Sequence, residues 1–421
     1  MRHDKSAHLV DRVFPQVPVR QWVLSLPYAL RYRLAYDAEM VSEVLGIFTK
    51  TVFASLIRRA SEFGAVQKAQ CGAVTFIQRF GSALNLNLHL HMLAIDGVYA
   101  ADDDGKPQFQ ALLAPDDQEI ARLTASLAER IPKLLQRRGL GPDSDPEECD
   151  PLSRDQPWLA GLYAASVSGK TAFGPNAGRR VTRMGDQIDP ESMDALASKR
   201  CANVSGFSLH ANVSVPAGDR QRLERLARYC ARPPIAMERL EPLADGRLLY
   251  RFKRPWRDGT THVVFEPLEL LEKLVAIIPA PKAHLVRYSG ILGLAAKWRA
   301  LIVPAGSTGV SATMLDPTCA PERAVSTDSL ALEAAVALAE SSPVGPPTVP
   351  HPRNYRWSEL MKRVWALDVL ECPRCLSRMR ILAAIHPPDA TRKILECLGL
   401  PSRAPPLAAA ACEHPAQTEW F

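Results

Sequence analysis

The sequence lacks any long uncharged hydrophobic run. No stretch among its 421 residues reaches the roughly 18 uncharged apolar residues that a membrane-spanning helix requires. The opening stretch "MRHDKSAHLVDRVFPQV" contains charged residues but no apolar core after them, so it does not have the pattern of a secretory signal. We therefore expect a cytoplasmic protein with no membrane partner.

Regularly spaced cysteines and a strong excess of one charge are also missing. The nine cysteines are mostly irregularly spaced and only Cys372 and Cys375 form a close pair, which favours reduced thiols over a disulfide framework. Lys and Arg total 51 against 45 Asp and Glu, and a net charge of +6 does not by itself separate a nucleic-acid-binding protein from a mildly basic enzyme. Hydrophobic residues at 47% provide ample material for a globular core.

The length predicts more than one unit, since domains usually contain about 100–200 residues. Helical periodicity and basic residues characterise the first seventy residues, whereas "GAVTFIQRF" and "LNLHLHMLAIDGVYA" predict an antiparallel strand pair joined by "GSALN". Ala, Ser, Thr and Pro dominate a later linker. The predicted organisation is a basic helical lead-in (1–70), a main domain (71–300), a linker (301–353), a small helical unit with a CxxC pair (354–400) and a tail (401–421).

Two histidines stand one residue apart in the apolar stretch "NLNLHLHMLAIDGVY". Side chains alternate on a strand, so His89 and His91 project from one face, and Asn85 and Asn87 precede them on that face. Two unrelated core or surface histidines are the more common reading of an arbitrary His-x-His. Two adjacent imidazoles each need a polar partner, however, because burying an unpaired polar group costs free energy. One divalent metal ion would serve both.

Five segments resemble the rolling-circle transposases of the insertion-sequence ninety-one family, which belong to the HUH endonuclease superfamily. These are "HLVDRVFPQVPVRQWVLSLPYALRYRLA", "QRFGSALNLNLHLHMLAIDGVY", "GFSLHANV", "RYCARPPIAMERL" and "PWRDGTTHVVFEPLELL", and they occur in the order that the family has. The resemblance implies that the histidine strand holds Mg²⁺ or Mn²⁺ beside a tyrosine that cuts single-stranded DNA. It also implies a bacterial, nucleoid-associated protein.

The chain departs from that family in its N-terminal domain, in its tyrosines and in the segment "RYSGILGLAAKWR", where relatives usually have a His at the position of Ser289. Family members usually begin with a cysteine-rich zinc-binding domain, and this chain opens almost directly at "HLVDRVFP", so we expect that domain to be lacking. Two-tyrosine members carry a second tyrosine one helical turn from the first, whereas Arg225 and Pro233 stand at the flanking positions here. The chain therefore resembles the single-tyrosine branch, the common-region elements.

A third metal ligand has two candidates. His210 in "GFSLHANV" lies opposite an apolar face, and Gln78 lies on the strand that should pair with the histidine strand, although the pairing register is not fixed by sequence. For either residue, a structural hydrogen bond is an equal alternative. Imidazole pairs alone favour manganese-like ions, because Mg²⁺ prefers oxygen ligands.

Tyr229 is the candidate nucleophile. On a helix that begins after Asp219, it lies beside the predicted buried stripe and on a basic face. An aromatic residue at a core boundary is by itself more often a packing residue, but the resemblance implies catalysis, and neighbouring arginines favour a phenolate and bind phosphate. The predicted DNA-binding residues are Arg222, Arg225, Arg228, Arg232, Arg257, Lys297 and Arg299.

The pair Cys372 and Cys375 is a weak zinc candidate. Its CxxC spacing suits a zinc knuckle, but a closed zinc site needs four ligands and no second close pair follows. Two reduced thiols in a small helical unit are an equal alternative. Other residues that could contribute are His386, Cys397, Cys412 and His414.

Taken together, these features predict an α+β fold with a central antiparallel sheet that carries the histidine pair and is flanked by helices. The predicted function is metal-dependent transposition, in which Tyr229 cuts single-stranded element ends and forms a covalent 5′-phosphotyrosine. A replication initiator or relaxase with the same chemistry is one alternative. An inactive DNA-binding remnant is another.

Overall fold

The computed structural model describes residues 2–62, 68–140, 150–185, 199–253, 255–256, 258–280, 283–303, 356–372, 375–380, 388–397 and 399. The chain divides into two compact units, one formed by Met1–Pro304 with Leu382–Phe421 and the other by Ala305–Ile381. The predicted boundary near residue 70 therefore falls within the first unit. The predicted linker and tail lie almost wholly outside the described residues.

Helices account for much of the described chain. The helices are α1 (Arg2–Arg12), α2 (Tyr28–Tyr36), α3 (Ala38–Ser61), α4 (Asp117–Arg137), α5 (Pro151–Asp155), α6 (Pro157–Val167), α7 (Arg220–Cys230), α8 (Pro267–Ile277), α9 (Arg299–Ile302), α10 (Trp357–Trp365) and α11 (Pro388–Cys397), with a 3₁₀ turn at Met237–Arg239. Asp side chains cap three of the longer helices: Asp37 begins α3, Asp116 begins α4 and Asp219 begins α7.

Strands form a larger and a smaller antiparallel sheet and one separate pair. The strands are β1 (Val19–Ser25), β2 (Gly72–Phe80), β3 (Leu86–Ile95), β4 (Gly97–Ala101), β5 (Pro107–Ala111), β6 (Thr182–Gly185), β7 (Cys201–Val204), β8 (Phe207–His210), β9 (Ser214–Val215), β10 (Leu240–Pro242), β11 (Leu248–Arg251), β12 (Thr260–Phe265) and β13 (Val286–Gly290). The central sheet has the order β13-β2-β3-β1-β8-β7, with β9 also paired to β1. The small sheet has the order β10-β11-β12-β6, and β4 pairs with β5.

The central sheet is covered on both faces. Alternate residues of β1, β2, β3 and β8 pack with α3 and α4 in one core, and the opposite face packs with α1 and α7 in a second core. This arrangement confirms the predicted α+β class, with a central antiparallel sheet between helices. The position of β3 near the middle of the sheet explains why the histidine strand is so apolar.

The helical prediction for the lead-in is wrong at one segment, because "VRQWVLS" forms β1 in the middle of the central sheet. β1 pairs with β3 on one side and with β8 and β9 on the other. An ion pair anchors its beginning: Arg20 Nη2 lies 2.6 Å from Asp96 Oδ2, and Arg20 Nη1 donates to the carbonyl oxygen of Ala211 at 2.9 Å. Arg20 thereby links β1 to the end of β3 and to the residue after β8.

Among the described helices, α3 is long and apolar enough to cross a membrane, with a mean hydropathy of 1.5 over its best 18-residue window. Half of that window is buried inside the structure. Met40, Val44, Phe48, Val52 and Leu56 of α3 lie in the core on the α3–α4 face of the sheet. These contacts are those of a core helix.

Candidate functional site

The two histidines project from the sheet face that α1 and α7 cover. Their strand alternates them with residues buried in the opposite core. The ring centroids of His89 and His91 lie 4.8 Å apart. His91 is only 4% exposed, whereas His89 is partly buried and lies nearer the start of the strand. The predicted pairing of these side chains on one face is therefore seen in the structure.

Tyr229 lies against the histidine pair. Leu223, Leu226, Ala227 and Cys230 form the buried side of α7, as the sequence predicts. The ring centroid of Tyr229 lies 5.9 Å from that of His91, with the rings nearly perpendicular at 85°. The guanidinium carbon of Arg232 lies 4.4 Å from the centroid of the Tyr229 ring. The structure thus brings together both histidines, the tyrosine and one of the predicted arginines.

Both imidazoles are kept neutral by their surroundings. Burial lowers the pKa of His89 to about 4, although a hydrogen bond to Asn87 opposes the shift, and the positive charges of Arg232 and Arg31 lower it further. Burial also lowers the pKa of His91 well below its ordinary value, assisted by His89 and Arg232. A neutral imidazole is the form that offers a lone pair to a metal ion or accepts a proton.

The hydrogen bonds of the two rings use their Nδ1 atoms. His89 Nδ1 lies 2.9 Å from the carbonyl oxygen of Asn87, so Nδ1–H donates and the lone pair is on Nε2. His91 Nδ1 lies 2.9 Å from the side-chain amide of Gln21. The buried Nε2 of His91 has no hydrogen-bond partner among the described residues. Within the described residues neither Nε2 atom is used by these hydrogen bonds, and His91 has its lone pair on Nε2 when Gln21 presents its amide oxygen to Nδ1.

Gln78 lies directly beside His89. The two residues are paired across β2 and β3, so their side chains share the face that α7 covers. Gln78 Nε2 donates to the carbonyl oxygen of Cys230 at 2.7 Å. Its buried Oε1 and the Oδ1 of Asn87 have no hydrogen-bond partner within the described ranges. Gln78 therefore has a coordinating oxygen available next to the histidine pair.

His210 lies on the same face but farther away. It pairs with Val23 of β1, and Val23 pairs with His91 on its other side. The strand β1 therefore lies between His210 and β3, which places the backbones of His210 and His91 about 10 Å apart. His210 is half-buried, and burial lowers its pKa. Of the two candidate third ligands, the structure brings only Gln78 into direct neighbourhood with the pair.

The predicted DNA-binding residues differ in their surroundings. On α7, Arg225 is exposed and Arg222 is partly exposed, whereas Arg228 Nη2 forms an ion pair with the buried carboxylate of Glu224 at 2.9 Å. The structure also places Lys297 at an exposed position, and Arg299 lies with its guanidinium 6.0 Å from the Tyr288 ring centroid. Arg257 lies outside the described residues. The ion pair with Glu224 offsets the charge of Arg228, and this ion pair was not predicted from the sequence.

Two backbone hydrogen bonds join Cys372 to the residues that follow the CxxC pair. The N–H of Leu376 donates to the carbonyl oxygen of Cys372, and the N–H of Cys372 donates to that of Ser377, both at 2.9 Å. Hydrogen bonds with Ser377 lower the pKa of the exposed Cys375 thiol. Across the described ranges, no three His, Cys, Asp or Glu side chains come together as a group that could hold a metal ion. Of the other zinc candidates, Cys397 lies on α11, and His386, Cys412 and His414 lie outside the described residues.

Sequence reasoning missed Gln21. Its side chain is 3% exposed, and its Nε2 lies 2.9 Å from His91 Nδ1 and 3.4 Å from Cys230 Sγ. The available signal was the alternation Val19-Gln21-Val23, which places one polar residue on an apolar strand face. A helical interpretation of this segment concealed that signal.

A comparison with family models matches residues 72–299 to the family Y2_Tnp, described as "Putative transposase". The match covers more than half of the chain and includes Gln78, His89, His91, His210 and Tyr229. Neither the curated proteins nor the solved structures contain a match.

Proposed function

This chain belongs to the transposase family whose model spans residues 72–299, and from that membership we propose that it cuts and rejoins single-stranded DNA during rolling-circle transposition. Tyr229 is the proposed nucleophile, and the intermediate is a covalent 5′-phosphotyrosine. The observation that carries the proposal is the contact of the Tyr229 ring with His91, which in turn contacts His89. The resemblance to the insertion-sequence ninety-one family agrees with this assignment.

A divalent ion, Mg²⁺ or Mn²⁺, fits three atoms of this site. The Nε2 atoms of His89 and His91 and the Oε1 of Gln78 would hold it, and two of these atoms, His91 Nε2 and Gln78 Oε1, are buried without a partner in the described chain. Buried polar atoms are normally satisfied, so such a pair points to a missing ligand. When bound, the ion would polarise the phosphate oxygens.

The reaction requires few other groups from the protein. The phenolic oxygen of Tyr229 attacks phosphorus, the new O–P bond forms and the P–O3′ bond breaks. Tyr229 loses its proton and the leaving oxygen gains one, giving a free 3′-hydroxyl. Arg232 lies over the Tyr229 ring and would bind the scissile phosphate through its planar guanidinium. A later attack by a 3′-hydroxyl reverses the step, so the bond energy is retained and no ATP is needed for cleavage.

Gln21 would set the ring orientation and tautomer of His91. The amide oxygen and nitrogen have the same shape, so a half-turn of the Gln21 amide presents Oε1 to both of its neighbours. In that orientation Oε1 accepts from His91 Nδ1–H and from the Cys230 thiol, whose pKa burial raises to about 12. The lone pair of His91 is then on Nε2, where metal ligation requires it.

Covalent capture of DNA tests the proposal. The full chain is incubated with Mn²⁺ and single-stranded DNA that carries the element's ends, and a protein–DNA adduct is sought after denaturation. Tyr229→Phe should lose the adduct while retaining folding and DNA binding, because it removes only the hydroxyl. Tyr288→Phe is a matched control, since Tyr288 also lies in the α1–α7 core beneath an arginine. Adduct formation by Tyr229→Phe would refute the assignment.

The metal is tested in the same assay. We expect EDTA, His89→Ala and His91→Ala each to abolish the adduct while leaving strand binding largely intact, because the arginines supply the affinity. Full activity of the EDTA-treated protein would show that the histidines have another role.

A further inference from the structure

A cleft of about 170 Å³ lies beside the start of the histidine strand. None of the chemistry described above uses it. Elements far apart in the chain form its walls, including α2, α8, β6 and Trp256, which lies between β11 and β12. The side chains that give it chemical character are Tyr28, Arg31, Asn85, Arg183, Trp256 and Lys273.

Two arginine–aromatic pairs line this cleft. The guanidinium carbon of Arg31 lies 5.9 Å from the ring centroid of Tyr28, and that of Arg183 lies 4.6 Å from Trp256. Trp256 is held in place, because it stacks on Phe252 at 4.9 Å and its indole N–H donates to Ser82 Oγ at 2.7 Å. Tyr28, in contrast, is 52% exposed. The cleft therefore presents flat aromatic and guanidinium surfaces, one pair fixed and one open to solvent.

The cleft is also electropositive. Lys273 is only 1% exposed, and its ammonium donates to the carbonyl oxygen of Lys170. Of the described residues that line the cleft, three are basic and none is acidic. An exposed carboxylate, Asp258 Oδ2, lies 3.7 Å from Arg183 Nη1 outside the lining. Such a site repels metal cations and attracts an anionic ligand.

The cleft and the histidine pair lie at two points along the same stretch of chain, which leads into β3. Asn85, Asn87 and His89 alternate along the extended chain, so Asn85 lies about 14 Å from His89 at roughly 3.4 Å per residue. The positive charge of Arg31 acts on His89 as well as lining the cleft. A bound strand that follows this edge of β3 can reach both places.

We propose that this cleft binds one nucleobase of the single-stranded DNA that Tyr229 cuts. The inference rests on the function proposed above. Bases stack on aromatic rings and on guanidinium planes, and the Asn85 amide offers a donor and an acceptor to a base edge. The volume is below the roughly 300 Å³ of typical organic-ligand sites, which suits one planar base rather than a larger ligand. Arg31 supplies a positive charge for the adjoining phosphate, and the buried ammonium of Lys273 adds to the positive potential without contacting it.

Binding measured without cleavage tests the proposal. Full-length protein in EDTA is titrated with a set of single-stranded oligonucleotides in which one base at a time is replaced by an abasic sugar, so that every phosphate remains. One position should lose affinity by about 5- to 150-fold, the range that base stacking on an aromatic residue provides. In Tyr28→Ala that position should no longer differ from its neighbours. Arg183→Gln removes a guanidinium plane from the cleft and should reduce the same position-specific loss independently of Tyr28.

Two control variants separate the possible outcomes. Trp158→Ala removes an aromatic residue that is 57% exposed and does not line the cleft, so its abasic profile should match that of the wild type. Tyr229→Phe should lose the adduct but keep the profile. A flat profile in a protein that forms the adduct would overturn the cleft assignment alone. A Tyr28-dependent position in a protein that forms no adduct would support the cleft and refute the nuclease proposal.

Free nucleotides provide the last arm. A deoxynucleoside monophosphate should not displace the oligonucleotide when the monophosphate is present at a concentration near the dissociation constant of the oligonucleotide. The strand binds more tightly because it adds phosphate contacts along the sheet. Equal competition by a monophosphate would assign the cleft to a free nucleotide and overturn its role in strand binding.

Discussion

At the scale of single residues, the candidate site depends on partners that hold the two imidazoles. The backbone of Asn87 fixes His89, and the side chain of Gln21 fixes His91. Residues of this kind determine the tautomer and orientation of a metal-binding ring without contacting the metal. Gln21 is therefore a positioning residue in the proposed mechanism.

Replacing Gln21 should weaken metal binding more than it weakens the fold. We expect Gln21→Ala to reduce Mn²⁺ affinity by about 10- to 100-fold, the usual effect of removing an outer-shell partner of a metal ligand. Calorimetric titration with Mn²⁺ measures this directly. Gln21→Glu should recover much of the affinity, because a carboxylate oxygen also accepts from His91 Nδ1–H. Equal Mn²⁺ affinity in Gln21→Ala and the wild type would rule out the positioning role.

Lys273 should make stability depend on alkaline pH. Burial lowers its pKa from 10.5 to about 8, although Glu272 and Glu269 oppose the shift. Between these values the unfolded chain binds more protons than the native protein, so the free energy of unfolding should rise as the pH increases from 8 towards 10. The rise attributable to Lys273 is about 2 to 3 kcal/mol, since one pKa unit corresponds to about 1.4 kcal/mol.

Urea unfolding of the wild type and Lys273→Met at pH 8 and pH 10 measures this rise as a difference between the two proteins. Lys170→Met is the matched control, because its side chain is exposed and only its carbonyl oxygen contacts Lys273. It should retain the wild-type pH dependence. Parallel pH curves for the wild type and Lys273→Met would mean that Lys273 is not desolvated in solution.

At the scale of secondary-structure elements, local patterns and long-range pairing contribute differently. The β2–β3 pair, α4 and α7 could be predicted, because alternation, helical periodicity and turn residues are local features of the chain. β1 could not, because its identity depends on pairing with β3 and β8, which lie about 70 and 185 residues away. The position of Gln78 beside His89 depends likewise on a pairing register, and that register shifts between Gln78 and Phe80.

Removing one partner of the buried ion pair between Arg20 and Asp96 should destabilise the protein strongly. Both side chains are buried, so Asp96→Asn would leave a buried guanidinium without its counter-charge. The expected cost is about 3 to 5 kcal/mol in the free energy of unfolding. Thermal and urea unfolding measure it.

An exposed pair is the matched control for Asp96. Glu129 and Lys133 lie 2.5 Å apart on the surface of α4, and Glu129→Gln should change the free energy of unfolding far less than Asp96→Asn does, because solvent screens an exposed pair. The double variant Arg20→Met, Asp96→Asn should be more stable than Asp96→Asn, because it no longer buries an unpaired charge. A cost for Asp96→Asn as small as that for Glu129→Gln would contradict the proposed anchoring of β1.

At the scale of the whole molecule, the positions of the basic residues are a better predictor of DNA binding than the net charge is. The excess is only +6 across 421 residues. The helix α7 carries Arg222 and Arg225, and the chain after β13 carries Lys297; apolar residues of both segments belong to the α1–α7 core on one side of the central sheet. Composition therefore could not predict a nucleic-acid surface, whereas the fold gathers the residues that would form one.

Salt should weaken single-strand binding in proportion to the phosphates contacted. If Arg222, Arg225, Arg232 and Lys297 each contact one phosphate, the slope of log affinity against log salt is about −2.8, since single strands give roughly −0.7 per contact. Affinity should then fall by about 50-fold between 50 and 200 mM salt. Fluorescence anisotropy of a labelled oligonucleotide in EDTA measures the slope without cleavage. Arg225→Gln should make it shallower by about 0.7, because one contact is lost. Arg154→Gln should leave it unchanged, since that exposed arginine lies on α5 in an ion pair with Asp155. An affinity that does not change with salt would mean that these arginines are ordinary surface charges.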